Sequence, residues 1–396
     1  MRCQTSLLAS VLLSFLMAAC ASAPVIVEEA PPPPVEPASP LDGYRAIVAD
    51  QERIEVRGAS PTPQSFSAAG PTGFVSGAPD GSAVVLSKGG SLVAVSSEDG
   101  VITLLSEGSE DRVYTGAWST DGMRFHFGYF VPAADGTGAG GSETGIDTWD
   151  RRADEVRSVG CSASKIVLAE VPGGSLIVRN EESLYEVEAI GCETIRSVDA
   201  RKLHHVSASP DGRHLAYILR ELVYNREKRA YEPDSTLYIE STTGSDPIKV
   251  IGDRYAPRNV SWRPDGSELL YDVAPPDDGL QRAVSVYTVA DGRSTYVIPP
   301  AASSAVTHAS MAPGGRHIVY QRTSTAGGMD WQVKTSGATF SQSLPMPEVP
   351  VTGMYWVDAD TLIVATEETS YLLSLAATTP ILTDLENQVV WLWPQN

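Results

Sequence analysis

One short hairpin motif recurs along this chain, and it constrains the fold more than any other feature. Residues 207–219 read SASPDGRHLAYIL, which is a strand-like run, a tight Pro-Asp-Gly turn and a second strand-like run. The related turns are SPLDG (39–43), GAPDG (77–81), STDG (119–122), VPGG (171–174), SPDG (209–212), RPDG (263–266), APGG (312–315) and VDAD (357–360). Successive turns end 38 to 54 residues apart. A repeating unit of this length is typical of the four-stranded blade of a β-propeller.

The unit that contains Gly266 shows the four strands of such a blade. NVSW leads into the turn RPDG, ELLYDVA and AVSVYTV follow, and the turn ADG leads to STYVI. These runs alternate or are rich in β-branched and aromatic residues, as strands are. In the turn, Pro fixes φ, Asp hydrogen-bonds its own backbone, and Gly adopts positive φ. Amphipathic helical periodicity is hard to find, so the predicted fold class is all-β, with strands A to D in each blade.

The two ends of the chain complete each other. The segments YRAIVAD, RIEVRGA and PTPQSFS after Gly43 suit strands B, C and D, but no strand A precedes them. The C-terminal segment NQVVWLWP (387–394) looks like the strand A segment RNVSWRP (258–264). A C-terminal strand that joins the N-terminal blade closes the ring and removes its exposed edges. The prediction is a propeller over residues 41–396 with eight blades, or seven if the first turn is not a repeat.

Four of the hairpins carry a resemblance to a known family. WRPDGSELLYDV, ASPDGRHLAYIL, WSTDGMRFHFGYF and MAPGGRHIVYQR resemble the PD40, or WD40-like, repeats of the TolB family. The resemblance covers nearly all of the chain after the first forty residues, as repeats only, and it implies a β-propeller. TolB has an α/β domain before a six-bladed propeller. Because this chain has neither the length nor the helical pattern for that domain, it resembles TolB in its repeats without being TolB itself.

Residues 1–19 are expected to be a lipoprotein signal peptide. Arg2 precedes the apolar run TSLLASVLLSFLMAAC, which is short for a membrane span and ends in small residues. LMAAC (16–20) resembles the lipobox of bacterial lipoproteins, which implies lipidation of Cys20 and, because Ala21 follows, an outer-membrane destination. The alternative is ordinary cleavage and a soluble secreted protein. Residues 20–40 are Pro-rich and acidic, which predicts an extended tether of about 60 Å at most.

The charge of the chain argues against two kinds of partner. It has 29 Lys and Arg residues against 49 Asp and Glu residues, a net charge of −20. Nucleic-acid binding needs a basic footprint, and so does electrostatic docking on anionic lipid. Membrane anchoring must therefore come from acyl chains on Cys20. The expected location is the cell envelope, on the outer membrane, with the propeller facing the periplasm.

Two cysteines lie in the propeller segment, Cys161 and Cys192. Cys3 would be removed with the signal peptide, and Cys20 would carry lipid. Outside the reducing cytoplasm, the remaining two could form a disulfide. The alternative is a pair of small buried thiols.

The connections between strands differ in length on the two faces of the propeller. In a blade, the A–B and C–D turns lie on one face, and the B–C and D–A connections lie on the other. The A–B turns here are short, whereas four B–C connections are long: 131–145, 220–235, 274–282 and 323–329. Long loops on a rigid scaffold are where recognition sites usually lie. The side with the B–C and D–A connections is called the long-loop face below.

The connection at 220–235 is the most unusual of the four. Its cations crowd into an otherwise acidic protein, with two tyrosines among them. The candidate partner-binding residues are Arg220, Tyr224, Arg226, Lys228, Arg229 and Tyr231. Arg and Tyr are enriched at protein interfaces. The alternative is a solvated hairpin extension whose cationic side chains reach into water.

The sequence lacks the motifs that usually accompany catalysis on such a scaffold. Peptidases of the prolyl oligopeptidase group carry an α/β-hydrolase domain with a G-x-S-x-G elbow, and this chain contains no such elbow. It contains no H-E-x-x-H or paired-Cys metal motif either. The adjacent pair His204 and His205 could bind a metal but is better interpreted as turn or strand histidines. No catalytic residue, metal ligand or cofactor is predicted.

Several aromatic residues occupy equivalent places in the repeats. His214 and His317 both follow a Gly-Arg pair after the turn, which suggests residues of the repeat itself. Trp118, Trp262 and Trp356 stand in or beside strand A. For the tryptophans this equivalence predicts packing between neighbouring blades.

The sequence therefore predicts a non-enzymatic envelope lipoprotein that binds another envelope protein or a peptide through the long-loop face. The competing interpretation is an enzyme, or a binder of a small ligand or metal, that uses the central channel. Carboxylates or histidines clustered at the channel mouth would favour the second interpretation, and exposed apolar and basic loops the first. A structural lipoprotein without a dedicated ligand is the third alternative.

Overall fold

The computed structural model describes residues 44–394 except for 59–63, 109–110, 132–144, 160–165, 180–182, 189–192, 200–202, 226–228, 245, 253–254, 275–281, 302–303, 325, 377–378 and 386–387. These residues form an eight-bladed β-propeller in which every blade is a sheet of four antiparallel strands. The predicted fold class and the preferred blade number are both confirmed. Among the described residues, no helix is long and apolar enough to cross a membrane.

The blades follow one another along the chain, and the last strand returns to the first blade. Blades 1 to 4, from strand A to strand D, are β32 (Gln388–Pro394), β1 (Tyr44–Ala49), β2 (Arg53–Arg57), β3 (Gln64–Ser67); β4 (Thr72–Gly77), β5 (Ala83–Lys88), β6 (Ser91–Ser96), β7 (Ile102–Ser106); β8 (Val113–Trp118), β9 (Arg124–Phe130), β10 (Asp147–Asp150), β11 (Glu155–Ser158); and β12 (Ile166–Glu170), β13 (Leu176–Arg179), β14 (Ser183–Val187), β15 (Thr194–Asp199). Blades 5 to 8 are β16 (Leu203–Ala208), β17 (His214–Asn225), β18 (Ala230–Ser241), β19 (Ile248–Ile251); β20 (Arg258–Trp262), β21 (Glu268–Val273), β22 (Ala283–Thr288), β23 (Arg293–Ile298); β24 (Ser304–Met311), β25 (His317–Ser324), β26 (Met329–Thr335), β27 (Gln342–Ser343); and β28 (Gly353–Trp356), β29 (Thr361–Ala365), β30 (Ser370–Ser374), β31 (Ile381–Asp384).

Blade 1 is split between the two ends of the chain, as predicted. Strand β32 pairs antiparallel with β1 in a register that runs from Tyr44 opposite Pro394 to Ala49 opposite Gln388. The indole of Trp391 in β32 lies against the backbone of Gly77 in blade 2, where an added Cβ would come within 2.7 Å of the ring. The C-terminal strand therefore closes the ring by hydrogen bonding within blade 1 and by packing on blade 2.

The A–B turns have the chemistry that their sequence predicts. In the turn of blade 6, Gly266 donates its N–H to the carbonyl of Arg263 at 2.9 Å, and Asp265 accepts the N–H of Ser267 at 3.0 Å. Gly266 has φ of 71°, a conformation that residues with a Cβ rarely adopt. A Cβ there would also lie 2.9 Å from the Asp211 carboxyl of the preceding turn. Neighbouring turns thus pack directly against each other.

The core of the propeller is divided among the interfaces between blades. Among the described residues, the buried apolar side chains form eight clusters, and each cluster joins two neighbouring blades. One of them joins blades 8 and 1 through Ile363, Val48 and Leu392. The alternating strand pattern explains this arrangement, because successive residues of a strand face opposite sides of its sheet.

The three equivalent tryptophans lie between blades, as the sequence predicts. The indole N–H of Trp118 donates to the Ser76 carbonyl at 3.2 Å, and that of Trp262 donates to the Ser207 carbonyl at 3.1 Å. Trp356 donates to the Ser310 hydroxyl at 3.0 Å. In every case the acceptor belongs to strand A of the preceding blade, so each indole ties two blades together near the centre.

Candidate partner-binding face and central channel

The connection at 220–235 forms a projecting β-hairpin. Strands β17 and β18 pair over twelve residues each, whereas β16 and β19 pair with them only as far as Leu219 and Leu237. The six outer pairs, from Arg220 opposite Ser235 to Asn225 opposite Ala230, continue beyond the blade on the long-loop face. These two segments, 220–225 and 230–235, are called the arm below. This connection is a hairpin extension, one of the alternatives that the sequence leaves open, because pairing between B and C continues past the strands that flank them.

The two faces of the arm differ in chemistry. Leu222 and Tyr224 lie on the same face because they are two residues apart in one strand, and Tyr231 lies opposite Tyr224 in the register. The two tyrosine rings meet edge to face, with centroids 5.3 Å apart. Leu222 is 70% exposed and Tyr231 is 69% exposed. Arg220, which is also exposed, belongs to this face, so it combines apolar and aromatic side chains with a cation.

The acidic residues of the arm occupy its other face. Glu221 pairs with Asp234 in the register, and Val223 follows on the same side. Arg229 lies at the turn of the arm with φ of 50° and is exposed. The structure therefore brings four of the six predicted partner-binding residues onto one hairpin. Alternation of the sequence along two paired strands separates the charges by face.

Some predicted residues lie outside the described part of the chain. These are Arg226 and Lys228 at the end of the arm, Cys20 at the proposed lipidation site, and the cysteine pair Cys161 and Cys192. Lipidation and the disulfide therefore remain predictions. His204 and His205 are strand residues of β16, which agrees with their interpretation as strand histidines.

A cavity of 820 Å³ lies at the centre of the propeller on the face of the A–B turns. All eight blades contribute to its wall, which includes Ala78, Thr120, Glu170, Pro210, Pro264 and Trp391. The prolines come from the repeated turns, and the small residues come from strand A and from these turns. The cavity is therefore built from the repeat itself, unlike the arm, which belongs to one blade.

Among the described residues of the cavity wall, Glu170 is the one carboxylate that comes from a strand, and it is hydrogen-bonded to the neighbouring blade. Glu170 of β12 accepts the His126 imidazole Nε2 at 2.5 Å and a guanidinium nitrogen of Arg124 at 2.7 Å. The other ring nitrogen of His126 lies 2.8 Å from the Thr148 hydroxyl. His126 is buried, so this group joins blades 3 and 4. Among the described residues, no set of three or more His, Cys, Asp or Glu side chains is placed to hold a metal ion.

Blades 7 and 8 are joined by an equivalent arrangement. His317 Nε2 lies 2.9 Å from the Asp360 carboxylate, its Nδ1 lies 3.0 Å from the Thr335 hydroxyl, and Arg316 also reaches Asp360 at 3.2 Å. His317 and His214 both open strand B, as expected for residues of the repeat. The repeat pattern reveals His317, but it does not reveal its carboxylate partner, which comes from the A–B turn of the next blade.

A buried carboxyl lies near the long-loop face of blade 6. Asp272 is fully buried, and its Oδ2 accepts the Asn259 amide at 2.6 Å, while Oδ1 has no hydrogen-bond partner. Burial raises the pKa of Asp272 to about 7, although Asn259, Arg282 and Arg258 all favour its charged form. Asn259 has φ of 49° at an irregularity in β20, and this conformation aims its side chain at the carboxyl. Nothing in the sequence marks this group.

No protein-family model matches the chain, and neither does any curated protein sequence. Solved structures match its fold. A prolyl endopeptidase aligns with a TM-score of 0.54 and 13% identity over 79% of this chain and 49% of that chain. A eukaryotic initiation factor aligns with a TM-score of 0.52 and 11% identity over 89% of this chain and 98% of that chain. TolB from Acinetobacter baumannii is more distant, with a TM-score of 0.42 and 11% identity over 89% and 82%.

The strand pairing establishes the class of fold. The chain is an eight-bladed β-propeller with four antiparallel strands per blade. It spans about half of the length of the prolyl endopeptidase. At identities of 11–13%, the prolyl endopeptidase and the initiation factor show the fold alone.

Proposed function

We propose that this protein is an outer-membrane lipoprotein whose propeller binds another envelope protein or a peptide through the long-loop face, with the arm as the main contact. The observation that carries this proposal is the exposure of Leu222, Tyr224 and Tyr231 on one face of the arm. A hairpin that extends past its own blade exposes this apolar surface to water. Aromatic anchors of this kind, surrounded by polar residues, dominate the binding energy of many protein interfaces.

The cations of the arm indicate the chemistry of the partner. Arg220 lies on the aromatic face and Arg229 at the turn, in a protein whose net charge is −20. A partner with an apolar groove bordered by carboxylates would match both features. Electrostatic complementarity of this kind mainly raises the association rate and the specificity.

The anchor is tested separately from the binding face. Cys20 is the proposed acylation site, and Cys20→Ser would remove it. Metabolic labelling with an alkyne fatty acid should label the wild-type protein and leave the variant unlabelled. Fractionation of the envelope should find the wild-type protein with the outer membrane. Equal labelling of both forms would contradict the proposed anchor.

Crosslinking in cells tests the binding face. The intact protein should capture a partner that is lost when residues 223–232 are replaced by an Asn-Gly turn, and equally when Tyr224→Ser and Tyr231→Ser are combined. The matched control is Tyr296→Ser with Ile381→Ser, two exposed residues on outer strands of blades 6 and 8. Capture that survives both arm variants, with normal folding by circular dichroism, would contradict the role of the arm.

The central cavity supports a second candidate function, the binding of a small ligand or peptide. Its volume of 820 Å³ lies within the range of known ligand sites. Ala208→Phe would narrow this cavity and leave the arm intact. If the Ala208→Phe variant fails to capture the partner and the variant with the shortened arm still captures it, the binding site is the central channel.

A further inference from the structure

A second cavity lies between blades 6 and 7, away from the arm and the central channel. Its volume is 320 Å³, and its wall combines the end of β23 and residues 299–301 with strands β24, β25 and β26 and the loop at 339–341. Volumes of this order are enough for a small organic ligand. The side chains that project from these two blades decide which ligand fits.

Among the residues that the structure describes, the wall of this cleft carries cations and no carboxylates. Arg322 and Lys334 both line it, and none of its described residues is Asp or Glu, although the chain has 49 acidic residues. Among the described residues, neither cation has an ion-pair partner. The carboxylate opposite Arg322 in the strand register is Asp330, and it accepts hydrogen bonds from Gln332 at 3.0 Å and Ser343 at 2.9 Å. The cleft is therefore locally positive in a negative protein, which favours an anionic ligand.

The polar groups of the cleft are held in place by their own neighbours. Arg322 donates its Nε–H to the buried Ser304 hydroxyl at 2.9 Å, which leaves its two terminal nitrogens for a ligand. The Tyr320 hydroxyl donates to Gln332 at 2.8 Å. Lys334 donates to the carbonyls of Ala338 and Thr339, so it holds the loop that forms one side of the cleft.

The apolar part of the wall faces the same space. Pro299 and Pro300 contribute from the connection between the blades, and Phe340 contributes from the loop that Lys334 holds. Phe340 is 84% exposed, the largest exposure among the large hydrophobic side chains of the described residues. An aromatic ring on the surface beside a fixed guanidinium can contact the apolar part of a ligand whose charge binds the guanidinium.

We propose that the cleft between blades 6 and 7 binds a small organic carboxylate with an apolar group. The terminal nitrogens of Arg322 hold the carboxylate, because guanidinium and carboxylate match as two parallel hydrogen bonds. Phe340 and the two prolines contact the apolar group. Lys334 adds positive charge and keeps the loop in place. This site is independent of the partner-binding function of the arm.

Ligand titration of the intact protein by NMR saturation transfer tests this proposal, with phenylacetate as the probe. Phenylacetamide has the same shape without the charge, and acetate has the charge without the apolar group. Phenylacetate should bind about tenfold more tightly than either. Arg322→Gln should weaken phenylacetate binding by about tenfold, and Arg322→Lys by less, because it retains the charge.

Two further variants keep the test decisive. Phe340→Ser changes an exposed residue, so folding should be unaffected while phenylacetate binding weakens several-fold. Arg213→Gln removes an exposed cation from the face of the A–B turns and should leave binding unchanged. The proposal is overturned if phenylacetate shows no saturable binding, if phenylacetamide binds equally well, or if Arg322→Gln and Arg213→Gln have the same effect.

Discussion

Ring closure by the C-terminal strand can be tested at Leu392, four residues from the end of the chain. Leu392 is 3% exposed and lies opposite Ala46 in blade 1, within the cluster that joins blades 8 and 1. Truncation of a buried leucine to alanine costs about 2–5 kcal/mol through lost burial and the cavity that remains. We expect Leu392→Ala to lower the free energy of unfolding by about 3 kcal/mol.

A loose C-terminal tail would give a different result. Substitutions on a surface without special contacts change stability by about 0.5 kcal/mol or less. The assay is urea unfolding followed by fluorescence of the seven tryptophans. Leu104→Ala, at a position in strand D of blade 2 that is 46% exposed, is the matched control. A loss below about 1 kcal/mol for Leu392→Ala, or one equal to the control, would refute closure of the ring by β32.

Three further perturbations probe the interfaces and the buried carboxyl. Glu170→Ala leaves buried His126 without its carboxylate and should cost about 3 kcal/mol in urea unfolding, and a change under about 1 kcal/mol would contradict the tie between blades. Gly77→Ala forces a methyl group against the rigid Trp391 ring, so it should lower stability by about 1–3 kcal/mol, measured in the same way. Asp272 has a pKa raised from 3.8 to about 7, so between these values the native state holds a proton that the unfolded chain releases. The stabilisation of the native state by the protonated Asp272 carboxyl is therefore full below about pH 4 and is lost as the pH rises through 7. Urea midpoints of the wild-type protein should fall between pH 5 and pH 8, and Asp272→Asn should remove this decrease.

The features that were predictable from the sequence are those whose physical cause is local. The conformation of an A–B turn depends on a few adjacent residues, so Pro-Asp-Gly predicts the turn at Gly266 without any tertiary contact. Comparison of equivalent positions in the repeats extends prediction to contacts between residues that are distant in the sequence. It places NQVVWLWP as the strand A that blade 1 lacks, and it places Trp118 and Trp262 at interfaces between blades. Each repeat packs on its neighbours in the same way, so eight copies of the repeat predict a closed ring.

The arm marks the limit of the local argument. RELVYN contains an adjacent Arg-Glu pair, and AYEPDS contains two acidic residues and a proline, so each resembles a loop when it is considered alone. They form strands because they lie opposite each other at the end of a hairpin that is already paired. Both faces of the arm are in water, so burial does not require the strict apolar alternation on which strand prediction depends.

The sequence by itself determined the fold class, the split first blade and the equivalence of the tryptophans and of His214 and His317, and it favoured eight blades over seven. The tertiary structure alone decided which carboxylate meets His317, that Asp272 is buried beside two arginines, and that Arg322 and Phe340 line one cleft with the prolines of the preceding blade. The physical reason is the difference between local and non-local interactions. Turn geometry and strand alternation are properties of neighbouring residues, whereas a cleft depends on which side chains the strand register and the packing of blades bring together.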